Sequence, residues 1–297
     1  MKHHFADLLD RDGDYWTVVP NLQRYAHRIN DVPAGSELVQ IATVGAEDAS
    51  WRNIFTFPRL EELTLHEPRR EQLLEISSLS GLRRLRITHA RPKDIDFIGS
   101  MVGIEELVLE YVSGFSDLTP LRSLTKLKSL HLENLRRVHD FSGLSGITSL
   151  RYLSIDGTLD WKQPIDDFEF LWGLQNLEVL FFGQISNKSP YPATIPILGL
   201  KKLVRLKLVW NMLPTEEYAL MEVGLQGVKN ASWGPYTRFQ FSPDLETFEF
   251  TGKGAGRVKC GHADAARKCA EFTQRYETFK KDAESVIRNS WQLRERT

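Results

Sequence analysis

Three carboxylates, Glu110, Glu133 and Asp156, recur at one interval along the middle of the chain, with His131 and Ser154 two positions before the second and third. Carboxylates in such a row have two chemical uses. With an imidazole they suit a hard cation, and a serine, a histidine and an acid are the parts of an acyl-transfer site. A cation needs ligands that converge into a shell, and acyl transfer needs oxyanion donors and a pocket. Cys260, His262 and Cys269 form a second group with ligand chemistry. Zinc sites draw paired ligands from two arms, and this group has one arm only. The glycine-rich stretch from Thr251 to Arg257 resembles a phosphate loop in composition alone, because Lys253 is followed by Gly254 rather than by Ser or Thr. A connector between a strand and a helix is the simpler reading. No cofactor is expected.

What positions the acidic row is a repeat. The pattern L-x-x-L-x-L occurs as Leu60/Leu63/Leu65, Leu82/Leu85/Ile87, Ile104/Leu107/Leu109, Leu127/Leu130/Leu132, Leu150/Leu153/Ile155, Leu177/Leu180/Phe182 and Leu203/Leu206/Leu208. Successive starts are separated by 22, 22, 23, 23, 27 and 26 residues. Weaker copies flank it at Leu38/Ile41/Thr43, Leu225/Val228/Asn230 and Leu245/Phe248/Phe250, as atypical terminal repeats should. An Asp precedes a short apolar turn on the return limb at Asp96, Asp117, Asp140 and Asp167, which is how a helix N-cap reads.

These motifs resemble the leucine-rich-repeat family, in its short-repeat, bacterial-like class, over roughly residues 37–250. The resemblance implies an α/β solenoid: a curved parallel sheet on the concave face and short helical or 3-10 turns on the convex face. It also implies binding of a partner protein, since solenoids bind on their concave surface. The family often carries Asn or Cys three positions after the third apolar residue. Here those positions hold Pro68, Ala90, Val112, Leu135, Thr158, Ile185 and Asn211, so the turns must satisfy their backbone groups in another way.

In each strand the two spine residues point to the core and the residues around them point the other way. On that open face Glu110, Glu133 and Asp156 fall side by side, about 4.8 Å apart. Like charges in register are unfavourable, and Arg84, Arg86 and His131 could neutralise them internally. Tyr152, Phe181 and Trp210 place aromatic surface beside the row, with Arg205 and Lys207 as a basic edge. Aromatics rimmed by charge are the composition of a protein-binding hot spot. They could instead be covered by the longer loops 156–176 and 183–202, which carry Trp161, Trp172 and Tyr191.

Residues 1–36 do not fit the repeat and are expected to cap its start, with a strand at Tyr15–Val19 and a short helix over Asn21–Asn30. Residues 251–297 are expected to form the glycine-rich turn and a long C-terminal helix. Its apolar stripe runs through Ala265, Ala266, Cys269, Phe272, Tyr276, Phe279, Ala283, Val286 and Ile287. That helix either seals the last repeat or offers its stripe to a partner.

A formal net charge of −1 gives no global drive toward nucleic acid or an anionic membrane, so neither is an expected partner. The first residues lack the pattern of a secretory signal, no apolar run has the length of a membrane helix, and two cysteines make no disulfide framework. A cytoplasmic location follows as the expectation. The leading function is a non-enzymatic protein-interaction module, suited to an inhibitor, immunity protein or adaptor. The alternative is a metal- or ligand-dependent enzyme built on the acidic row.

Overall fold

A computed structural model of the chain describes residues 7–12, 15–20, 27–229, 233–243 and 245–294, the first two as backbone only. In chain order the strands are β1 (Asp7–Asp12), β2 (Tyr15–Pro20), β3 (His27–Arg28), β4 (Ile41–Gly45), β5 (Glu62–His66), β6 (Arg84–Thr88), β7 (Glu106–Glu110) and β8 (Ser129–Glu133). There follow β9 (Tyr152–Asp156), β10 (Gln163–Ile165), β11 (Val179–Phe182), β12 (Ile185–Asn187), β13 (Arg205–Leu208), β14 (Tyr236–Ser242), β15 (Leu245–Phe250) and β16 (Arg257–Lys259). The α-helices are α1 (Arg70–Glu75), α2 (Asp96–Gly99), α3 (Ile195–Leu198), α4 (Thr215–Gly224) and α5 (Ala265–Arg294).

Nine strands form one parallel sheet in the order β13-β11-β9-β8-β7-β6-β5-β4-β3. Its register aligns the spine residues of neighbouring repeats: Leu63 with Leu85, Leu85 with Leu107, Leu107 with Leu130, Leu130 with Leu153 and Leu153 with Leu180. These leucines are buried in one continuous apolar cluster with the residues of the return limb. The return limb is made of 3-10 turns at Trp51–Thr56, Ile76–Ser78, Thr119–Ser123, Ser142–Leu144 and Glu169–Gly173, with short helices α1 and α2 among them. The expected leucine-rich-repeat solenoid is the fold.

The aspartates of the return limb act as local turn acceptors. Asp117, Asp140 and Asp167 each accept the N–H two residues on, from Thr119, Ser142 and Glu169. In the repeat before them the acceptor is Asp94, bonded to Asp96 N–H, so the expected capping role of Asp96 belongs to Asp94. Such bonds preorganise a turn that has few backbone partners of its own.

The turns that leave the strands solve the missing-asparagine problem piecewise. Glu67, His89, Tyr111 and Asn134 sit in the left-handed region, with φ between 49° and 55°. Each donates its N–H to the last residue of the next strand, at the carbonyls of Thr88, Glu110, Glu133 and Asp156. After His89, Tyr111 and Asn134 the following position turns inward, which is why Ala90, Val112 and Leu135 are buried apolar residues. Where backbone groups remain, buried amides reach them. Gln72 accepts from Arg69 N–H and donates to the Gly45 carbonyl, while Gln163 accepts from Leu135 N–H and donates to the Val138 carbonyl.

The ends differ from the sequence expectation in three places. The first weak copy is slipped by one residue. Ala42 and Val44 pair with Leu63 and Leu65, so the buried set is Val39/Ala42/Val44, and Leu38 is 82% exposed. A one-residue slip exchanges the two faces of a strand, and it moves Thr43 to the concave side. Second, Leu245/Phe248/Phe250 is no repeat. It lies in β15, the middle of a three-stranded antiparallel sheet, because β14 directly precedes it in the chain and offers a nearer partner than β13. Third, His27–Arg28 forms the edge strand β3 and a 3-10 turn follows at Ile29–Asp31, where a helix was expected; residues 21–26 of that expectation lie outside the described residues. At Leu225 the side chain is buried and a single bridge joins Arg205 to Lys229; Asn230 lies outside the described residues. The hairpin β1–β2 includes the strand expected at Tyr15–Val19, and the backbone of β2 approaches β8 in the middle of the sheet.

The helix α5 docks. Its residues Ala265, Cys269, Tyr276 and Ala283 are buried, Phe272 stacks on Phe250 at 4.7 Å, and Trp291 meets Trp172 at 5.5 Å. Ala266, counted in the expected stripe, is exposed. Tyr276 and Lys280 both bond to Glu222 of α4. The C-terminal end of the leucine core is thereby sealed.

Candidate functional site

The concave face carries the residues singled out by spacing, and the register places them as expected. Glu110 lies beside Glu133 and Glu133 beside Asp156, at the C-terminal ends of β7, β8 and β9. Each of the three carboxylates has its own structural partner. Glu110 takes the Arg86 guanidinium at 2.6 Å. Glu133 faces His131 Nε2 at 3.6 Å and the Tyr111 hydroxyl, whose pKa is raised by burial and by this carboxylate. Asp156 accepts the N–H groups of Gly157 and Gln184 at 2.8 and 2.6 Å, and burial raises its carboxyl above the usual range. Gly183 leaves room for this bond, since a Cβ there would fall 2.0 Å from Asp156 Oδ1. Arg84, considered as a neutraliser of the row, is used elsewhere: it bridges Glu62 and Glu106 at 2.5 and 3.0 Å.

Both chemical readings of the row meet physical obstacles. Glu110, His131 and Glu133 can bring one ligand atom each within 4.8 Å of the others. A cation there would compete with the Arg86 guanidinium for Glu110; the Ser154 Oγ, 2.8 Å from His131 Nδ1, leaves Nε2 facing Glu133. The same pair gives serine, histidine and acid in the right order of contact. Ser154, however, is fully buried, and in a parallel sheet the neighbouring N–H groups are committed to the adjacent strands. Within the row Glu110 is ion-paired to Arg86, and Asp156 is held by backbone N–H groups.

The aromatic and basic residues are arranged differently. Tyr152 is buried beside Val179, and burial pushes its hydroxyl pKa upward. Phe181 is half-exposed, with the exposed Lys207 ammonium 5.0 Å from its ring centre. Arg205 is half-buried one register position away. The loop aromatics do not converge on Phe181: Trp172 turns to Trp291 and Arg294 of α5, and Trp161 lies against Arg136. Trp210 is half-exposed and approaches Phe239 at 6.3 Å, and Phe239 in turn meets Phe241 at 4.6 Å. Phe239 and Phe241 are 40% and 49% exposed. They extend the aromatic surface beyond what spacing had indicated, and Arg257 lies over Phe241 at 5.2 Å. The alternation Thr237, Phe239, Phe241 is the signal in the sequence that could have revealed them, once β14 was recognised as a strand.

The remaining candidates are structural. Cys269 is buried with Phe250, Val258 and Ala265, while Cys260 is half-exposed. In the glycine-rich stretch, Gly252 and Lys253 donate their N–H groups to the carbonyls of Trp210 and Leu213, docking the connector on the last repeat. Beside it Glu217 is a buried carboxylate that accepts from Ala193 N–H, Thr194 N–H and Thr194 Oγ1. Burial raises its pKa. A carboxyl whose folded pKa lies above its unfolded value costs stability as pH rises through that interval. Comparing urea unfolding of wild type and Glu217→Gln, the advantage of wild type should shrink between pH 4 and pH 7; an advantage that grows with pH would contradict it.

No protein-family model matches this chain, and no curated protein matches it. Similarity appears among solved structures. An internalin of Listeria monocytogenes is 20% identical over 67% of this chain and 54% of its own, with a TM-score of 0.49. Internalin C2 of the same organism is 23% identical over 56% of this chain and 71% of its own, with a TM-score of 0.40. A leucine-rich-repeat protein of Leptospira interrogans is 16% identical over 70% of this chain and 51% of its own, with a TM-score of 0.44. The chain thus matches about half the length of the first and third. Among the described residues no helix is long and apolar enough to cross a membrane.

Proposed function

We propose that this leucine-rich-repeat solenoid is a non-enzymatic interaction module that holds a partner protein on the C-terminal half of its concave face and the adjoining loops. The observation that carries the reading is the set of half-exposed Phe181 and Trp210 and exposed Phe239 and Phe241, with Lys207 and Arg257 over its rings. Large rigid rings in a partly polar frame supply contact area at low entropic cost, and they are enriched where binding energy concentrates. The footprint runs from Glu133 and Asp156 across Phe181 to Trp210, with Glu110 and Tyr152 at its inner border and Arg205 and Lys207 at its basic edge. The paired acids give this surface fixed polarity, which favours selectivity over raw affinity. An inhibitor, an immunity protein or an adaptor would each use such a surface. Two free cysteines suit a reducing compartment such as the cytoplasm.

Quantitative affinity capture from the source organism tests the reading. A stoichiometric partner of the wild type should be depleted at least about tenfold by Phe181→Asp and by Trp210→Asp, with thermal unfolding unchanged. Retention of every partner by both variants, together with a metal-dependent activity lost in Glu133→Gln, would give the site to the enzyme reading instead.

A further inference from the structure

The strand β14 presents a main-chain edge beside the aromatic group. It is the outer strand of the sheet β14-β15-β16, and among the described residues no strand pairs with its far side. The direction of its free groups follows from the pairing. Thr251 N–H bonds to the Pro235 carbonyl, and Tyr236 lies opposite Phe250. In an antiparallel ladder, bonded and non-bonded pairs alternate, so Thr237 and Phe239 are bonded to β15. The N–H and C=O groups of Arg238, and of Gln240 at the start of the register shift, therefore point away from the sheet.

The side chains divide in the same alternating way. Tyr236 packs on Phe248 and Phe250, and Arg238 pairs with Glu246. Thr237, Phe239 and Phe241 occupy the other face, where Phe239 meets Trp210. All residues of β14 after Tyr236 are exposed. Natural edge strands are blunted by unpaired charge, proline or a bulge, because an open apolar edge recruits another strand. Here the single arginine is ion-paired on the opposite face, and the register shift lies at the end of the strand, between Gln240 and Ser242. Among the described residues, the edge from Thr237 to Gln240 is open.

We propose that β14 is a strand-addition site, at which an extended segment of the partner protein pairs with the Arg238–Gln240 edge. Alternate apolar side chains of that segment lie against Phe239 and Phe241, and acidic side chains flank them. The acidic flank follows from charge: the exposed cations Lys207, beside Phe181, and Arg257, over Phe241, lie on the aromatic surface, whereas Glu249 is largely buried beneath Arg257. Main-chain bonds supply affinity in this mode, and alternate side chains supply selectivity. The inference rests on the protein-binding reading above and deepens it.

Selection of displayed random peptides on the immobilised full chain tests it. Enriched peptides should alternate apolar residues between acidic flanks, and synthetic copies should bind in solution by fluorescence anisotropy. Gln240→Pro removes an outward N–H at a position where edge strands tolerate proline, and should weaken these peptides about tenfold or more. Phe241→Asp should do the same, whereas Gln240→Thr should bind as wild type. Circular dichroism melting of each variant establishes that β14 remains folded. Failure to enrich any peptide, or enriched peptides indifferent to Gln240→Pro and Phe241→Asp, would overturn the proposal. So would dimerisation of the wild type that Gln240→Pro abolishes, since the edge would then serve a second copy of this chain. If Phe181→Asp loses the captured partner while Gln240→Pro keeps it, the protein-binding reading stands and strand addition falls.

Discussion

Replacing Arg84 with methionine should lower the free energy of unfolding by about 3–5 kcal/mol, measured by urea denaturation at neutral pH. Arg84 stands in β6 between Glu62 of β5 and Glu106 of β7, one register position on each side. Its guanidinium reaches both carboxylates, whose side chains are 4% and 2% exposed. Two acids at such depth share this cation, and methionine removes it while leaving most of the volume. The deficit is then the cost of buried charge rather than of a cavity. A combined Glu62→Gln, Arg84→Met, Glu106→Gln protein should recover much of the loss, because amides in place of carboxylates carry no charge to strand. A loss below about 1 kcal/mol for Arg84→Met, the level of an exposed pair, would show that water or other groups screen the two acids.

Tyr276→Ala should cost about 3–5 kcal/mol, the range for deleting a large buried ring. Tyr276 is completely buried near the middle of α5, and its hydroxyl donates to Glu222 Oε2 at 2.9 Å. Burial, reinforced by the adjacent carboxylate, pushes that hydroxyl pKa far upward. The bond to Glu222 is joined by Lys280, so one carboxylate of α4 fastens two turns of α5. Tyr276→Phe keeps the ring and removes the bond, and should cost about 1–3 kcal/mol. Hydrogen exchange distinguishes sealing from mere packing. In Tyr276→Ala, amides of α5 and α4 should lose protection together with those of β13, and the protein should self-associate as the last leucines are uncovered. Protection retained in β13 despite a released α5 would mean that the helix is a passenger on an already closed core.

These two sites mark the boundary of what could be read in advance. Tyr276 was legible: it lies on a stripe of apolar residues at helical spacing, and such a stripe must be buried against something. What buries it was not, because Glu222 lies far away in sequence and has no periodic relation to it. Spacing places Arg84 on the concave face but does not identify its partners. It offers the acidic row as one candidate, whereas the nearest charges in register are Glu62 and Glu106 of its own row. Glu110 draws on Arg86 instead.

The same division holds for the whole molecule. The leucine spacing by itself determined the solenoid, the parallel register and the order of residues along the concave face, since the apolar period forces identical limbs to stack. It failed where the period weakened. Val39, Ala42 and Val44 are less conspicuous than the Leu38 pattern one residue away, and only burial against Leu63 and Leu65 selects between the two. Leu245, Phe248 and Phe250 carry the apolar pattern of a repeat, but a neighbouring strand captured them in an antiparallel sheet. Tertiary structure alone decided which partners the acidic row takes: Arg86 for Glu110, His131 and Tyr111 for Glu133, and two backbone N–H groups for Asp156. It also carried Phe239 and Phe241 to Trp210, so that the aromatic surface continues past the last repeat. Periodicity specifies contacts between equivalent positions of adjacent repeats. Charge pairing across rows, and the docking of a non-repeating end, depend on distances that no period encodes.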